Sequence, residues 1–175
     1  SLGGEFSYEL ACKLNNRIAA IGAVARTMQA NPNNYCNPVH PTGVLTVLGT
    51  DDITSPYNGL TYAGVEYYLS AAETHNYWIT HNECNSTATM NTIGQNVERY
   101  TWSNSSGCNY VEELKVIGGG HDWPGSFGNM EINTTQEIWD FVSKFDTDGI
   151  INCTNTSAII DNSDEKNQKI YPNPF

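Results

Sequence analysis

Apolar positions recur at helical spacing at the start of the chain, at Phe6, Tyr8, Leu10, Ala11 and Leu14, which predicts an amphipathic helix from about residue 4 to 15. The pattern then changes. Residues 17–24 are rich in Ile, Ala and Val, and residues 43–48 read Gly-Val-Leu-Thr-Val-Leu. Unbroken apolar character, in place of alternation, predicts parallel strands covered on both faces. Between them, residues 29–41 carry Pro, Asn and Cys and predict a loop. Helical spacing returns over 62–82 through Val65, Leu69, Ala72 and Trp78. Strands are predicted over 91–102 and 110–117, separated by Ser103-Asn104-Ser105-Ser106-Gly107. A last helix is expected over 131–145, with Ile132, Ile138, Trp139, Phe141, Val142 and Phe145 apolar. The succession is an α/β alternation, which predicts a mostly parallel sheet flanked by helices.

Beyond Gly149 the pattern stops. Residues 154–169 are polar and lack aromatics, so 150–169 reads as a linker, and Ile170-Tyr171-Pro172-Asn173-Pro174-Phe175 stands alone after it. Residues 1–149 are then a single domain with a core of its own.

Charge narrows the function classes. The net charge is −11 and only 15% of residues are charged. A nucleic-acid or anionic-membrane partner would need a basic patch. No run of 18 apolar residues predicts a membrane span. The five cysteines form no Cys-x-x-Cys pair, and the histidines are not at zinc-ligand spacing, so no metal site or cofactor is expected. Cys84 and Cys108 bracket a Ser/Thr/Asn-rich segment that a disulfide would close, and Cys12 with Cys36 is a second candidate pair. Cys153 is left over. The alternative is five reduced, buried thiols; polar surface and tail composition favour an oxidising, extracellular setting.

Chemistry gathers at three strand ends. Gly118-Gly119-Gly120-His121-Asp122-Trp123-Pro124-Gly125 allows no regular element and must be a shaped loop holding one histidine. Gly49-Thr50-Asp51-Asp52 ends the second strand, and Ser1-Leu2-Gly3-Gly4 opens a helix. Functional residues of open α/β sheets gather at the carboxyl ends of strands. A serine hydroxyl needs a neighbouring base, and the base an acid partner. Ser1, Asp52 and His121 stand in the order Ser, Asp, His, which is the α/β-hydrolase order. Ser1 and the glycines behind it read as the second half of a nucleophile elbow, with the Leu2 N–H aimed at a developing oxyanion. Each string also has a plainer reading, as a turn, a calcium loop or a strand end. An N-terminal nucleophile using its own α-amine would leave Asp52 and His121 without roles.

These motifs, with Tyr8-Glu9-Leu10-Ala11-Cys12, Arg17-Ile18-Ala19-Ala20-Ile21, Pro56-Tyr57-Asn58-Gly59 and Trp78 to Cys84, resemble the C-terminal part of the extracellular polyhydroxybutyrate depolymerase and feruloyl esterase group. The likeness runs from residue 1 to about 146. It implies a secreted serine esterase of the α/β-hydrolase fold, with Ser1 as nucleophile, His121 as base and Asp52 as acid, Asp51 being the fallback. It implies a Cys84–Cys108 disulfide. Tyr57, Trp123 and Trp78 are candidate wall residues for an ester substrate, free or part of a polymer, with core or loop packing as the plainer reading of each. Arg26 and Ser55 depart from the pattern, where a glycine and an apolar residue are usual. The strands that precede the nucleophile in that fold, with the second oxyanion donor, are not in the sequence. The chain therefore reads as a fragment that is inactive alone. The tail Tyr171-Pro172-Asn173-Pro174-Phe175 resembles the start of a type IX secretion sorting domain, which implies a contact with export machinery. The competing class is a non-catalytic secreted binding or surface module on the same scaffold.

Overall fold

In the computed structural model, residues 1–153 are described. Helix α1 spans Leu2–Lys13 and is followed by β1 (Ala20–Val24) and β2 (Gly43–Gly49). A hairpin of β3 (Leu60–Tyr62) and β4 (Val65–Tyr68) precedes α2 (Ala71–His81). Strands β5 (Thr89–Ile93), β6 (Val97–Ser103) and β7 (Tyr110–Val116) lead to α3 (Thr134–Val142).

Five strands form one sheet in the order β1-β2-β7-β6-β5. The pairs β1–β2 and β2–β7 are parallel, with Ile21 opposite Val44 and Val47 opposite Leu114. The pairs β6–β7 and β5–β6 are antiparallel. The fold is therefore α/β, but the sheet is mixed where a mostly parallel one was expected. The expected strand over 91–102 is really a hairpin. Gly94, with φ of 64°, supplies the left-handed turn residue, and Val97 falls back opposite Ile93.

The predicted helix over 62–82 is likewise shorter. Ala63 and Gly64 both take positive φ, 51° and 77°, which is the two-residue turn that matches strand twist. Leu60–Tyr68 is thus a hairpin, and the helix begins only after Ser70. Ser70 Oγ accepts from the Glu73 N–H at 3.2 Å while Glu73 Oε2 accepts from the Ser70 N–H at 2.9 Å. This reciprocal cap satisfies two otherwise unpaired donors and fixes where α2 starts. Asn133 caps α3 by a single bond, its Oδ1 accepting from the Gln136 N–H at 3.1 Å.

Every residue of β2 is buried, as a parallel strand covered on both faces requires. One face packs Ile21, Ala23, Val44 and Val111 under Tyr8 and Ala11 of α1 and Trp78 of α2. The other packs Leu45, Val47, Leu114 and Val116 under Phe141 of α3 and Phe145. Gly22 is where α3 comes closest, since a Cβ there would stand 2.9 Å from Ile138.

The disulfides differ from expectation. Cys12 pairs with Cys36 across 24 residues, and Cys108 pairs with Cys153 across 45. The Cys84–Cys108 pairing is therefore corrected, as is the expectation that Cys153 is unpaired; Cys84 is the free thiol among the described residues. The reason is local. The chain after α3 turns back along the start of β7, where the Ile150 N–H donates to the Cys108 carbonyl at 3.0 Å, so Cys153 arrives beside Cys108. Cys84 instead points its thiol at the Asn109 carbonyl, 3.5 Å away. No helix among the described residues is long and apolar enough to cross a membrane. The linker beyond residue 153 and the tail 170–175 lie outside the described residues.

Candidate active site

The three strand-end motifs meet on one side of the sheet. The turn after β2 and the loop after β7 are laced together by their backbones. The Thr50 N–H donates to the Val116 carbonyl at 3.0 Å and the Asp51 N–H to the Gly119 carbonyl at 2.9 Å. The Gly118 N–H donates to Thr50 Oγ1 at 2.8 Å. Such contact needs glycine on both sides. A Cβ on Gly49 would collide with the Gly119 carbonyl, and one on Gly119 would stand 2.7 Å from Val116 Cγ1. Gly118 takes φ of 69°, a conformation that favours glycine.

This lacing brings Asp52 to His121. Asp52 is only 4% exposed. Its Oδ1 accepts from the Thr54 and Ser55 N–H groups, both at 2.8 Å. Its Oδ2 accepts from His121 Nδ1 at 2.7 Å. Three donors on one buried carboxylate satisfy its acceptor sites and fix its plane. An ionised carboxylate can only accept, so in this bond Nδ1 carries the proton. Asp51 is exposed and accepts from its neighbour Thr50 at 3.1 Å. Ser55, a departure from the resembled pattern, is buried and closes the Asp52 turn with its N–H.

Ser1 and His121 line one cavity of about 290 Å³ with Val24, Ala25, Trp123 and Phe127 among its walls. Ser1 is the N-cap of α1, and its side chain makes no capping bond. Its hydroxyl oxygen accepts instead from Arg26 Nη2 at 3.4 Å. Its main-chain nitrogen donates to the Val24 carbonyl at 2.8 Å. Leu2 is the first helical residue, so its N–H has no acceptor within α1.

The expected wall residues separate. Trp123 is in the cavity, its Nε1 donating to Thr135 Oγ1 at 3.2 Å. Trp78 is fully buried between the sheet and α2 and lines no part of that cavity. Tyr57 does not line it either. Its hydroxyl donates to Glu113 Oε1 at 2.7 Å, and it borders a different cleft. Two neighbours, Ala25 and Phe127, were not picked out from the sequence, and a third, Arg26, was noted there only as a departure from the resembled pattern. Ala25 takes φ of 50° and turns the chain from β1 under Ser1. Phe127 is half exposed on the cavity wall. Arg26 is 8% exposed, lies 4.3 Å over the Tyr68 ring and pairs with Glu5 at 3.4 Å. The sole sequence signal for it was the arginine at a position where the resembled pattern has glycine.

No protein-family model matches the chain. Over 161 residues it is 30% identical to the bifunctional acetylxylan esterase/xylanase of Neocallimastix patriciarum. The match takes in 88% of this chain but only 21% of that enzyme's length. Between the α/β fold, the Asp52–His121 bond and this likeness, the chain stands as a distant relative of an esterase-bearing enzyme.

Proposed function

We propose that the protein is a serine-type carboxylic ester hydrolase of the α/β-hydrolase fold. The observation that carries it is the 2.7 Å bond from His121 Nδ1 to the buried Asp52, with His121 and Ser1 on one cavity wall. In this reading His121 Nε2 takes the Ser1 proton as Oγ attacks the ester carbonyl. Asp52 holds the imidazole in the required tautomer and stabilises the imidazolium. The Leu2 N–H, at the positive end of α1, donates to the developing oxyanion. His121 then returns the proton to the leaving alcohol. The acyl-serine is released when water, deprotonated by His121, attacks the same carbonyl.

Among esters, acetyl groups on a polysaccharide are favoured by the name of the relative; polyester and feruloyl substrates belong to the resembled group. Two disulfides among the described residues support an extracellular setting. In the same reading residues 1–149 belong to the catalytic domain, 150–169 are a linker, and 170–175 begin an export signal. The test is hydrolysis of p-nitrophenyl acetate and butyrate by the full-length parent protein and by its Ser1→Ala and His121→Ala variants. Loss of turnover in both is expected. Full activity in either removes that residue from the mechanism.

A further inference from the structure

A second cleft, of about 370 Å³, lies away from Ser1 and His121, between α2 and the strands beyond it. Side chains of a strand alternate between faces. On β6, Glu98, Tyr100 and Trp102 share the face with Glu113 and Lys115 of β7, because Tyr100 is opposite Glu113 and Glu98 opposite Lys115. Helix α2 covers the β7 side of that face and reaches β6 at Trp102, whose ring lies 5.2 Å from that of His75. Beyond it the sheet surface is open, and Met90 of β5, opposite Tyr100, is half exposed.

The surface bordering the cleft is aromatic and half-buried, with Trp102 also packed against the core. The Tyr100 and Trp102 rings lie 6.0 Å apart with planes only 21° from parallel, side by side along one strand. Around this platform stand Tyr57, Asn76, Glu113 and Lys115. Glu113 is 3% exposed, a carboxyl buried at the cleft wall with one strong partner, the Tyr57 hydroxyl. Lys115 is neutralised by Glu98 at 3.4 Å, and the chain's net charge is −11, so an anionic ligand is not favoured. Paired flat rings suit the C–H face of a sugar ring. Amide, carboxyl and ammonium groups around them supply both donors and acceptors for its hydroxyls.

We propose that this cleft binds a neutral sugar residue of a polysaccharide, with Tyr100 and Trp102 as its stacking surface, at a site separate from the Ser1–His121 cavity. It rests on the ester-hydrolase reading only in taking the sugar to be part of the esterified polymer. The cleft would hold the polymer while its ester groups reach the cavity.

The experiment is calorimetric titration of the full chain carrying Ser1→Ala with xylohexaose and with cellohexaose, neither of which carries an ester. Binding of at least one is expected. Trp102→Ala and Tyr100→Ala, each added to that background and checked for an unchanged melting profile, are expected to weaken it at least about tenfold. Should Trp102→Ala fail to fold, Tyr100→Ala on the open strand face decides. No binding of either oligosaccharide overturns the proposal. So does binding undiminished in the folded variants, which puts the sugar elsewhere. Hydrolysis of p-nitrophenyl acetate by the full-length parent protein with Ser1 intact judges the esterase reading separately: sugar binding without hydrolysis sinks only that reading, and hydrolysis without sugar binding sinks only the cleft.

Discussion

Replacing Glu113 with glutamine is expected to stabilise the protein at alkaline pH and leave it unchanged near pH 4.5. Glu113 is buried on β7, with Tyr57 donating to Oε1 at 2.7 Å and His75 Nδ1 lying 3.7 Å from Oε2. Burial raises the Glu113 pKa from its ordinary 4.5 to about 7, against the lowering effects of the Tyr57 hydrogen bond and the Lys115 charge. Burial lowers the His75 pKa from 6.5 to about 4. The 3.7 Å approach is therefore not an ion pair over most of the range: when the carboxyl is charged, the imidazole is neutral. The sign follows from linkage. Between pH 4.5 and about 7 the unfolded chain has released a proton that the folded chain still holds, so stability falls as pH rises and then levels off. At about 1.36 kcal/mol per pH unit, the loss is ~3 kcal/mol. The glutamine side chain does not titrate, and its amide oxygen can still accept from Tyr57. The assay is urea unfolding of both proteins from pH 4.5 to 8. The variant's advantage should grow from near zero to ~3 kcal/mol, equivalent to roughly 6–12 °C in melting temperature. The His75 contribution, lost as pH falls below 6.5, is common to both proteins and cancels in the difference. A difference that stays flat across this range would refute the reasoning.

The remaining predictions concern the candidate site and its supports. Asp52→Asn should leave the Thr54 and Ser55 bonds to Oδ1 in place but present the wrong partner to His121 Nδ1, so kcat on p-nitrophenyl acetate should fall by about 10⁴ with KM little changed; a fall under tenfold contradicts the assigned role. Gly49→Ala drives a Cβ into the Gly119 carbonyl and should cost at least ~2 kcal/mol in urea unfolding, whereas Gly118→Ala, with open space around it but φ of 69°, should cost only about 1 kcal/mol; equal costs would count against the close-approach argument. Peptide mapping without reduction should recover Cys12–Cys36 and Cys108–Cys153, with Cys84 alkylated slowly at neutral pH because burial raises its pKa to about 11. Removing the Cys108–Cys153 bridge, which closes a 45-residue separation, should cost about 4 kcal/mol, and an unchanged urea midpoint would rule that out.

Local signals in the chain already determined the α/β class, the buried parallel strands and the two glycine-rich loops. The reason is that each depends on residues close in sequence. The unbroken apolar run of Gly43–Gly49 can be satisfied only by cover on both faces, and Gly118-Gly119-Gly120 only by a loop. Helical spacing over 62–82 misled because Ala63-Gly64 turns the chain back, and a periodicity count does not weigh a two-residue turn. Antiparallel pairing of β5 and β6 onto a parallel sheet was equally illegible, since alternating residues look the same in either direction.

Tertiary structure alone decided what depends on distance. Which of Asp51 and Asp52 meets His121 is a matter of one residue's register, fixed when the Asp51 N–H bonds to the Gly119 carbonyl and turns Asp52 inward. Cys108 met Cys153 and not Cys84 because the chain after α3 returns along β7, a path no spacing rule encodes. Tyr57 reads in sequence as a neighbour of Asp52, five residues on, yet the turn sends it to the opposite cleft and Glu113. Sequence sets which groups are available and which segments must be strand, helix or loop. Where two such groups meet is settled by strand register and loop closure, because a hydrogen bond needs its atoms placed to within a few tenths of an ångström and residues 69 apart acquire that only through the sheet between them.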